Sequence, residues 1–409
     1  MTLPEARFSL WLYDERIGSL CRRGDYSWLE LSEEYRSNPE RPVLGLIFEE
    51  NLEARHASAL RLPAWFSNLL PEGPLRDWVA RDRGVSSDRE IELIAQVGHD
   101  LPGAVRVLTT DESLSGDWLP PSEDPESRNE SPEARRWRFS LAGVALKFSL
   151  LARGDRLTIP AAGEQGDWIV KFPDPQFSQV PRNEFWMMTL AGIAGIEVPE
   201  VRLVHRDEIV DVPSRVWTGS EEWAYAVRRF DRTEQRGLIH IEDLAQVKNV
   251  YPNEKYLGNY ETVGSYSYRG HDIEGLRQFA LRLAFSILIS NGDAHLKNWS
   301  LIYRDRRRPS LSPAYDLVAT SPYRDDGPED MGLKFGGSHR FDTVTLRRFE
   351  RLEQKLHAEG AYLADCVFEL IRRVQDAWPR VEAELADYPL LTHEIGSSIK
   401  RHSQTIMRQ

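Results

Sequence analysis

The stretch Asn291-Gly-Asp-Ala-His-Leu-Lys-Asn298 sets an aspartate five positions before an asparagine. A short apolar run follows from Trp299 to Tyr303, then a basic turn, then Pro313-Ala-Tyr-Asp316. This is the layout of a kinase catalytic loop followed by its metal-binding aspartate. In such a site one Asp orients and deprotonates the acceptor hydroxyl, while the Asn and a second Asp hold the magnesium ions that bridge the ATP phosphates. On this spacing Asp293 is the base and Asn298 with Asp316 the metal pair. Asp and Asn also cap helices and form turns, so the spacing by itself is weak. The apolar helix before it, the hairpin-like segment after it and the second Asp narrow the reading.

A kinase also needs a cation on the phosphates. Lys171 lies between Val170 and Phe172 on an apolar strand, where an unpaired ammonium is costly to bury. Glu184, at the start of the next helix, is its natural partner; the competing reading is an edge-strand lysine with its head in solvent. Residues 140–147 form a small-residue turn whose single glycine, Gly143, matches neither a Walker A loop nor G-x-G-x-x-G. His295 suits phosphate contact or an ordinary loop position equally well. Tyr315 reads as packing, and Arg304 with Arg306, Arg307 and Arg308 as a solvated turn. No Ser-His-Asp order or G-x-S-x-G elbow occurs.

The elements that must position these residues follow from periodicity. Phe8–Leu12, Tyr26–Leu31 and Val43–Phe48 read as strands; Pro63–Arg83 reads as helical, interrupted at Pro71–Pro74 and stopped by Gly84; Asp88–Val97 is a short helix and Ala104–Leu108 a strand. Residues 109–135 are rich in Ser, Asp, Glu and Pro and too poor in apolar groups to offset their ordering entropy, which predicts a flexible linker. Strands around Phe139–Leu151, Trp168–Phe172, Val198–Val204 and Trp223–Phe230 surround one helix, Asn183–Ala194. Beyond Arg232 the chain turns helical: Leu276, Phe279, Ala280, Leu283 and Ile287 make one stripe leading to Asn291, and heptad-like spacing continues from Asp342 to Leu385. The expected organisation is a small N-terminal α+β unit (1–108), the linker (109–135), a β-rich lobe (136–232) and a helical lobe (233–409).

The 409 residues suffice for two or three domains, and 41% hydrophobic with 28% charged residues is ordinary for a soluble globular chain. A formal net charge of -12 argues against autonomous nucleic-acid binding. The two cysteines, Cys21 and Cys366, give no disulfide framework or zinc spacing and suit a reducing compartment. The start of the chain lacks the pattern of a signal peptide, and the most apolar helix is too short to span a bilayer. A cytoplasmic protein without membrane association is the expectation.

Several ordered motifs resemble the HipA-type serine/threonine kinases, the toxin half of bacterial toxin–antitoxin modules. FSNLLPEGPLRDWVA (66–80) and GHDLPGAVRVL (98–108) resemble that family's N-terminal subdomain, and FSLAGVALK (139–147) its phosphate loop. NEFWMMTLAGIAGIEVPEVRLV (183–204), VRRFDR (227–232), IHIEDLAQVKN (239–249), NGDAHLKNWSL (291–301) and LSPAYDL (311–317) follow in the family's order. The resemblance implies a two-lobed protein-kinase-like fold using ATP and magnesium. Asp293 would be the base, Asn298 and Asp316 the magnesium ligands, and Lys171, Glu184 and His295 would serve the ATP phosphates. Ser140, Ala142, Gly143, Val144 and Lys147 would form the nucleotide-contacting loop, and Phe230 would lie at the adenine hinge. It further implies protein serines as acceptors, notably in aminoacyl-tRNA synthetases, and autophosphorylation of Ser140 as a brake. The implied partner is a small helix-turn-helix antitoxin, through which operator DNA would be contacted indirectly. Two positions depart from the pattern: Ala145 replaces the usual Gln of the loop, and Arg228 the usual Glu of the hinge. The competing readings are a small-molecule phosphotransferase, which shares the D-x4-N loop, and a non-catalytic co-repressor partner of a DNA-binding antitoxin.

Overall fold

The computed structural model describes residues 5–109, 147–154, 156–160, 164–212, 216–217, 219–324 and 330–408. Ser140, Ala142, Gly143, Val144 and Ala145, and the expected linker from residue 110 onward, lie outside them.

The N-terminal unit contains β1 (Glu5–Leu12), β2 (Glu15–Arg23), β3 (Tyr26–Leu31), α1 (Glu33–Ser37), α2 (Leu46–Glu49), β4 (Ala57–Ala59), α3 (Ala64–Ser67), α4 (Gly73–Arg83), α5 (Glu90–Val97) and β5 (Val105–Thr109). Its antiparallel sheet has the order β4-β3-β2-β1-β5. Phe8, Leu10 and Leu12 alternate inward with period two and are buried. Gly84 ends α4 in the left-handed region (φ 64°), where a side chain would be strained. The strand expected at Val43–Phe48 is not formed. Leu46–Glu49 is one helical turn, with Leu44 and Phe48 buried in the unit's core. A short apolar run is buried equally well by either backbone, and here packing against Trp65 and Phe66 decides.

The second unit holds β6 (Lys147–Arg153), β7 (Arg156–Thr158), β8 (Trp168–Lys171), α6 (Val180–Ile193), β9 (Val201–His205) and β10 (Trp223–Arg228), in the order β7-β6-β8-β10-β9. Among the described residues it is β-rich with one α-helix. One face of the sheet (Phe148, Leu150, Val170, Ala224, Ala226) joins the core of the N-terminal unit; the other (Tyr225, Val227) packs on α6 and the helical lobe. Sandwiched on both faces, the sheet fixes Lys171 opposite Lys147 on one side and Tyr225 on the other.

The C-terminal lobe is helical: α7 (Leu244–Val247), α8 (Tyr260–Tyr268), α9 (Ile273–Leu288), α10 (Leu346–Lys355), α11 (Leu363–Glu384) and α12 (Pro389–Ile406). A small sheet, β11 (His240–Asp243), β12 (Ser300–Tyr303) and β13 (Ser310–Leu311), and a hairpin, β14 (Asp330–Phe335) with β15 (Ser338–Arg340), complete it. Asp272 caps α9 by accepting from Gly275 N at 2.7 Å. All five stripe residues of α9 are fully buried, and Leu276, Phe279, Leu283 and Ile287 each contribute roughly 1.5–3 kcal/mol of burial. The helix is therefore a rigid rod that delivers the chain to Asn291.

The basic turn is not simply solvated. Arg306 lies over the Tyr13 ring at 4.4 Å and its carbonyl accepts from Val43 N at 2.9 Å, so the turn docks on the N-terminal unit. Strand β11 forms a polar seam between the same two parts. His240 Nε2 donates to Leu44 O at 2.8 Å. Glu242 accepts from Leu46 N and Trp65 Nε1, each at 3.0 Å, and from the Tyr303 hydroxyl. Burial holds His240 neutral, with its pKa down to about 4, and pushes Glu242 up to about 7. No described helix is long and apolar enough to cross a membrane.

Candidate active site

Past α9, Ser290 takes a left-handed turn (φ 52°) that reverses the chain. Asn291 braces the loop: its Oδ1 accepts from Asp293 N at 3.1 Å and its Nδ2 donates to Asp316 O at 3.3 Å. Gly292 is required here, since a Cβ would come within 2.9 Å of the Asp330 carbonyl oxygen. Leu296–Asn298 then forms one 3-10 turn. Asn298 Nδ2 donates to Asp316 Oδ2 at 3.0 Å, which brings the two expected metal ligands together. Asp316 itself holds a left-handed backbone (φ 56°), a conformation costly for a non-glycine residue and least so for Asp or Asn.

Lys171 sits on an interior strand rather than at a solvated edge. Its Nζ donates to Glu184 Oε1 at 2.6 Å and to Asp316 Oδ1. Lys171, Glu184, Asp316 and Asn298 thus form one bonded chain of side chains, contributed by a strand, a helix and two loops. Burial by itself would favour a neutral Lys171, but the charges of Asp316 and Glu184 outweigh it and hold the ammonium charged. Burial raises Glu184 to about 7, against the pull of Lys171. Burial also acts to raise Asp316, yet Lys171 and Lys147 prevail and keep it well below the usual carboxylate range. Lys147, at the start of β6, is pushed down to about 8 by burial.

These groups face a cleft of about 760 Å³ between the two lobes. Asp293 lines it, and the Tyr256 hydroxyl donates to its Oδ1. Burial raises the Asp293 pKa against the opposing pull of the Tyr256 hydrogen bond. His295 is buried with its ring edge-on to Tyr256 at 5.1 Å; burial takes its pKa down to about 3, so it stays neutral. Phe230 lines the opposite wall, its ring 5.6 Å from that of Tyr315. The departure Arg228 turns outward to Glu200 at 3.4 Å and is clear of the bonded chain.

The residues fit a magnesium ion. The Asn298 Oδ1 is buried without a hydrogen-bond partner, and it stands beside the Asp316 carboxylate. One amide oxygen and one carboxylate, with phosphate oxygens completing the shell, is an ordinary magnesium donor set. Among the described residues no group of three or more Asp, Glu, His or Cys side chains is placed to hold a metal ion.

Several site residues were not singled out by spacing. Lys297 is buried, and its Nζ donates to Asn68 O at 2.8 Å, Asn68 Oδ1 at 3.1 Å and Asp243 Oδ2 at 3.1 Å. Glu72, also from the N-terminal unit, accepts from Lys255 Nζ at 3.0 Å. Asn68, Glu72, Lys255 and Lys297 all line the cleft. The available signal was the lysine inside the Asp293–Asn298 loop and an acid in IHIED, but their pairing spans long sequence separations.

Comparison with known proteins places the whole chain. The model of the HipA-like C-terminal domain matches residues 139–378, and that of the HipA N-terminal domain residues 8–108. The chain belongs to the HipA family. Y4dM of Sinorhizobium fredii is 40% identical over 404 residues, covering 97% of this chain and 96% of that protein. The serine/threonine-protein kinase toxin HipA of Shewanella oneidensis is 28% identical over 295 residues, 63% of each chain. The fold is that of a HipA chain solved in a Shewanella oneidensis complex of HipA, HipB and operator DNA, with a TM-score of 0.73, 22% identity and 97% of each chain covered. The two-lobed α+β kinase-like architecture of this HipA-family chain is thereby shared across its length.

Proposed function

We propose that the chain is an ATP- and magnesium-dependent serine/threonine protein kinase acting as a toxin. The observation that carries this reading is the bonded chain Lys171–Glu184–Asp316–Asn298 facing the same cleft as Asp293. Lys171 grips the ATP phosphates and is kept charged and aimed by Glu184. Asn298 and Asp316 would hold magnesium, which supplies charge neutralisation on the phosphates when bound. Asp293 accepts the acceptor hydroxyl's proton, and Tyr256 marks the place that hydroxyl takes. Phe230 offers an apolar wall for the adenine.

The acceptor is a serine of a translation-related protein, of which an aminoacyl-tRNA synthetase is the first candidate, and its modification arrests growth. Ser140 is the site of a self-limiting autophosphorylation. A HipB-like helix-turn-helix antitoxin is the partner, with operator DNA bound through it; the net charge of -12 supports this indirect route. Family membership and the fold shared with a HipA chain support these assignments. The test is intact-mass and phosphopeptide analysis after incubation with ATP and magnesium, beside Asp293→Ala. Phosphate on Ser140 in the wild type alone is the expected result. Equal phosphate on both proteins would reject Asp293 as the base, and none on either would reject Ser140 as the brake.

A further inference from the structure

We propose that Lys255 is a catalytic cation that meets the phosphoryl group in transfer, and that Glu72 of the N-terminal unit positions it. This rests on the kinase reading above and extends it to two residues outside the expected set.

Lys255 is fastened to the catalytic loop at several points. Its carbonyl accepts from Leu296 N at 3.0 Å. The adjacent Tyr256 donates to Asp293 and packs against His295. The turn preceding it is closed by Glu254, which accepts from Tyr251 N at 2.9 Å. The Lys255 side chain therefore starts from a backbone that moves only with the base. Its Nζ lies 5.7 Å from the Tyr256 ring centroid and 3.0 Å from Glu72 Oε2, on the wall of the cleft.

Of the other cations lining the cleft, all but Lys147 are engaged by oxygen acceptors. Lys171 is bound by Glu184 and Asp316. Lys297 has Asn68 O, Asn68 Oδ1 and Asp243 as acceptors. Arg229 is locked between Asp100 and Asp231, and Arg228 turns out to Glu200. Lys147 pairs in register with Lys171, on the Asp316 side. Among the described residues, Lys255 is the cation standing on the Asp293 side with a single carboxylate partner. That partner is itself incompletely used: Glu72 Oε1 is buried without a hydrogen bond, 3.7 Å from Lys297 Nζ.

The chemistry requires a charge there. As the acceptor oxygen bonds to the γ-phosphorus, the bond from that phosphorus to the bridging oxygen breaks and its electron pair leaves with ADP. The acceptor proton passes to Asp293. Negative charge meanwhile spreads over the equatorial oxygens, and a preplaced donor aimed at them lowers the barrier. Lys255 exchanges one oxygen partner for another and neither gains nor loses a proton. Glu72, at the N-cap of α4, keeps the ammonium waiting at the right place, so the N-terminal unit takes part in catalysis.

The experiment compares full-length wild type with Lys255→Met, Lys255→Arg and Glu72→Gln, using magnesium-ATP and dephosphorylated casein. Transfer rate, ATP affinity by calorimetry and melting temperature are read together. Lys255→Met should lower kcat about 100-fold with the ATP Kd within about threefold, as when one transition-state donor is removed. Lys255→Arg should recover roughly a tenth of the wild-type rate, and Glu72→Gln should lose about tenfold in kcat alone. An active Lys255→Met, or a loss matched by lost ATP binding or lower melting, overturns the proposal. If Lys255→Met fails to fold, Glu72→Gln decides: an unchanged kcat rejects the role. A wild type that transfers phosphate neither to casein nor to itself and binds no ATP would instead overturn the kinase reading itself, and this inference with it.

Discussion

The Asp100–Arg229–Asp231–Arg232 network and the Lys171–Glu184–Asp316–Asn298 network are both buried, and both join residues far apart in sequence. The first is closed in charge, though Arg232 Nε is buried without a hydrogen-bond partner and Arg229 and Asp231 also touch the cleft. Two carboxylates face two guanidiniums at 2.8–3.0 Å, with no side chain more than 6% exposed, and Arg229 also binds Ser149 Oγ and Leu101 O. Burial would raise Asp231, but Arg229 and Arg232 overwhelm it and hold the acid far below its ordinary range. The second is open to the cleft. It keeps an unpartnered amide oxygen on Asn298, a Glu184 raised to about 7 and a strained backbone at Asp316. A buried charge network that exists to hold a fold pairs its charges internally; one that exists to hold a ligand keeps unspent capacity on the ligand's side.

Four measurements can break or sharpen this contrast. The largest effect is expected at the cleft: Asp293→Ala should reduce phosphoryl transfer about 10³-fold while melting like the wild type. A large loss of stability in that variant would move Asp293 into the closed class. Next, Asp100→Ala leaves two buried guanidiniums to share the single carboxylate of Asp231 and should cost about 3 kcal/mol in urea unfolding. A cost under about 1 kcal/mol, the level of a surface pair, would remove the contrast.

Third, Glu242 tests the seam. Its folded pKa of about 7 lies above the ordinary 4.5, so its neutral form is favoured by folding. The associated stability is complete below about pH 4.5 and is lost as pH rises through about 7. Glu242→Gln should therefore flatten the stability profile over that interval, by of order 3 kcal/mol. An unchanged slope would mean the carboxylate is ionised throughout. The smallest effect belongs to the docked turn: Arg306→Ala should cost about 0.5 kcal/mol through loss of the Tyr13 contact, measured by the urea midpoint.

What was legible in the sequence was local. Asp293, Asn298 and Asp316 stand at short fixed separations on a loop whose entry helix announces itself by a 3.6-residue stripe. Lys171 and Glu184 were legible because a lysine on an apolar strand demands an acid, and the next helix begins with one. Glu72 and Asn68 were not, because what joins them to Lys255 and Lys297 is packing between parts of the chain some two hundred residues apart, and Asp243 was not, because it lies 54 residues from Lys297. The Val43–Phe48 run shows the same limit: its apolarity was read correctly, but its backbone was settled by Trp65 and Phe66.

The seam along β11 has a consequence for how the gene product can be divided. Leu44, Leu46 and Trp65 are bonded to His240 and Glu242, and Asn68 and Glu72 to Lys297 and Lys255. A nick anywhere between Thr109 and Lys147 would cut the peptide without undoing any of these bonds. The two fragments should travel together through gel filtration, and separately expressed halves should find each other, as split reporters do. Deleting the first hundred residues is a different operation, because it would strip Glu242, Lys297, Lys255, Arg229 and Arg232 of their partners in the N-terminal unit.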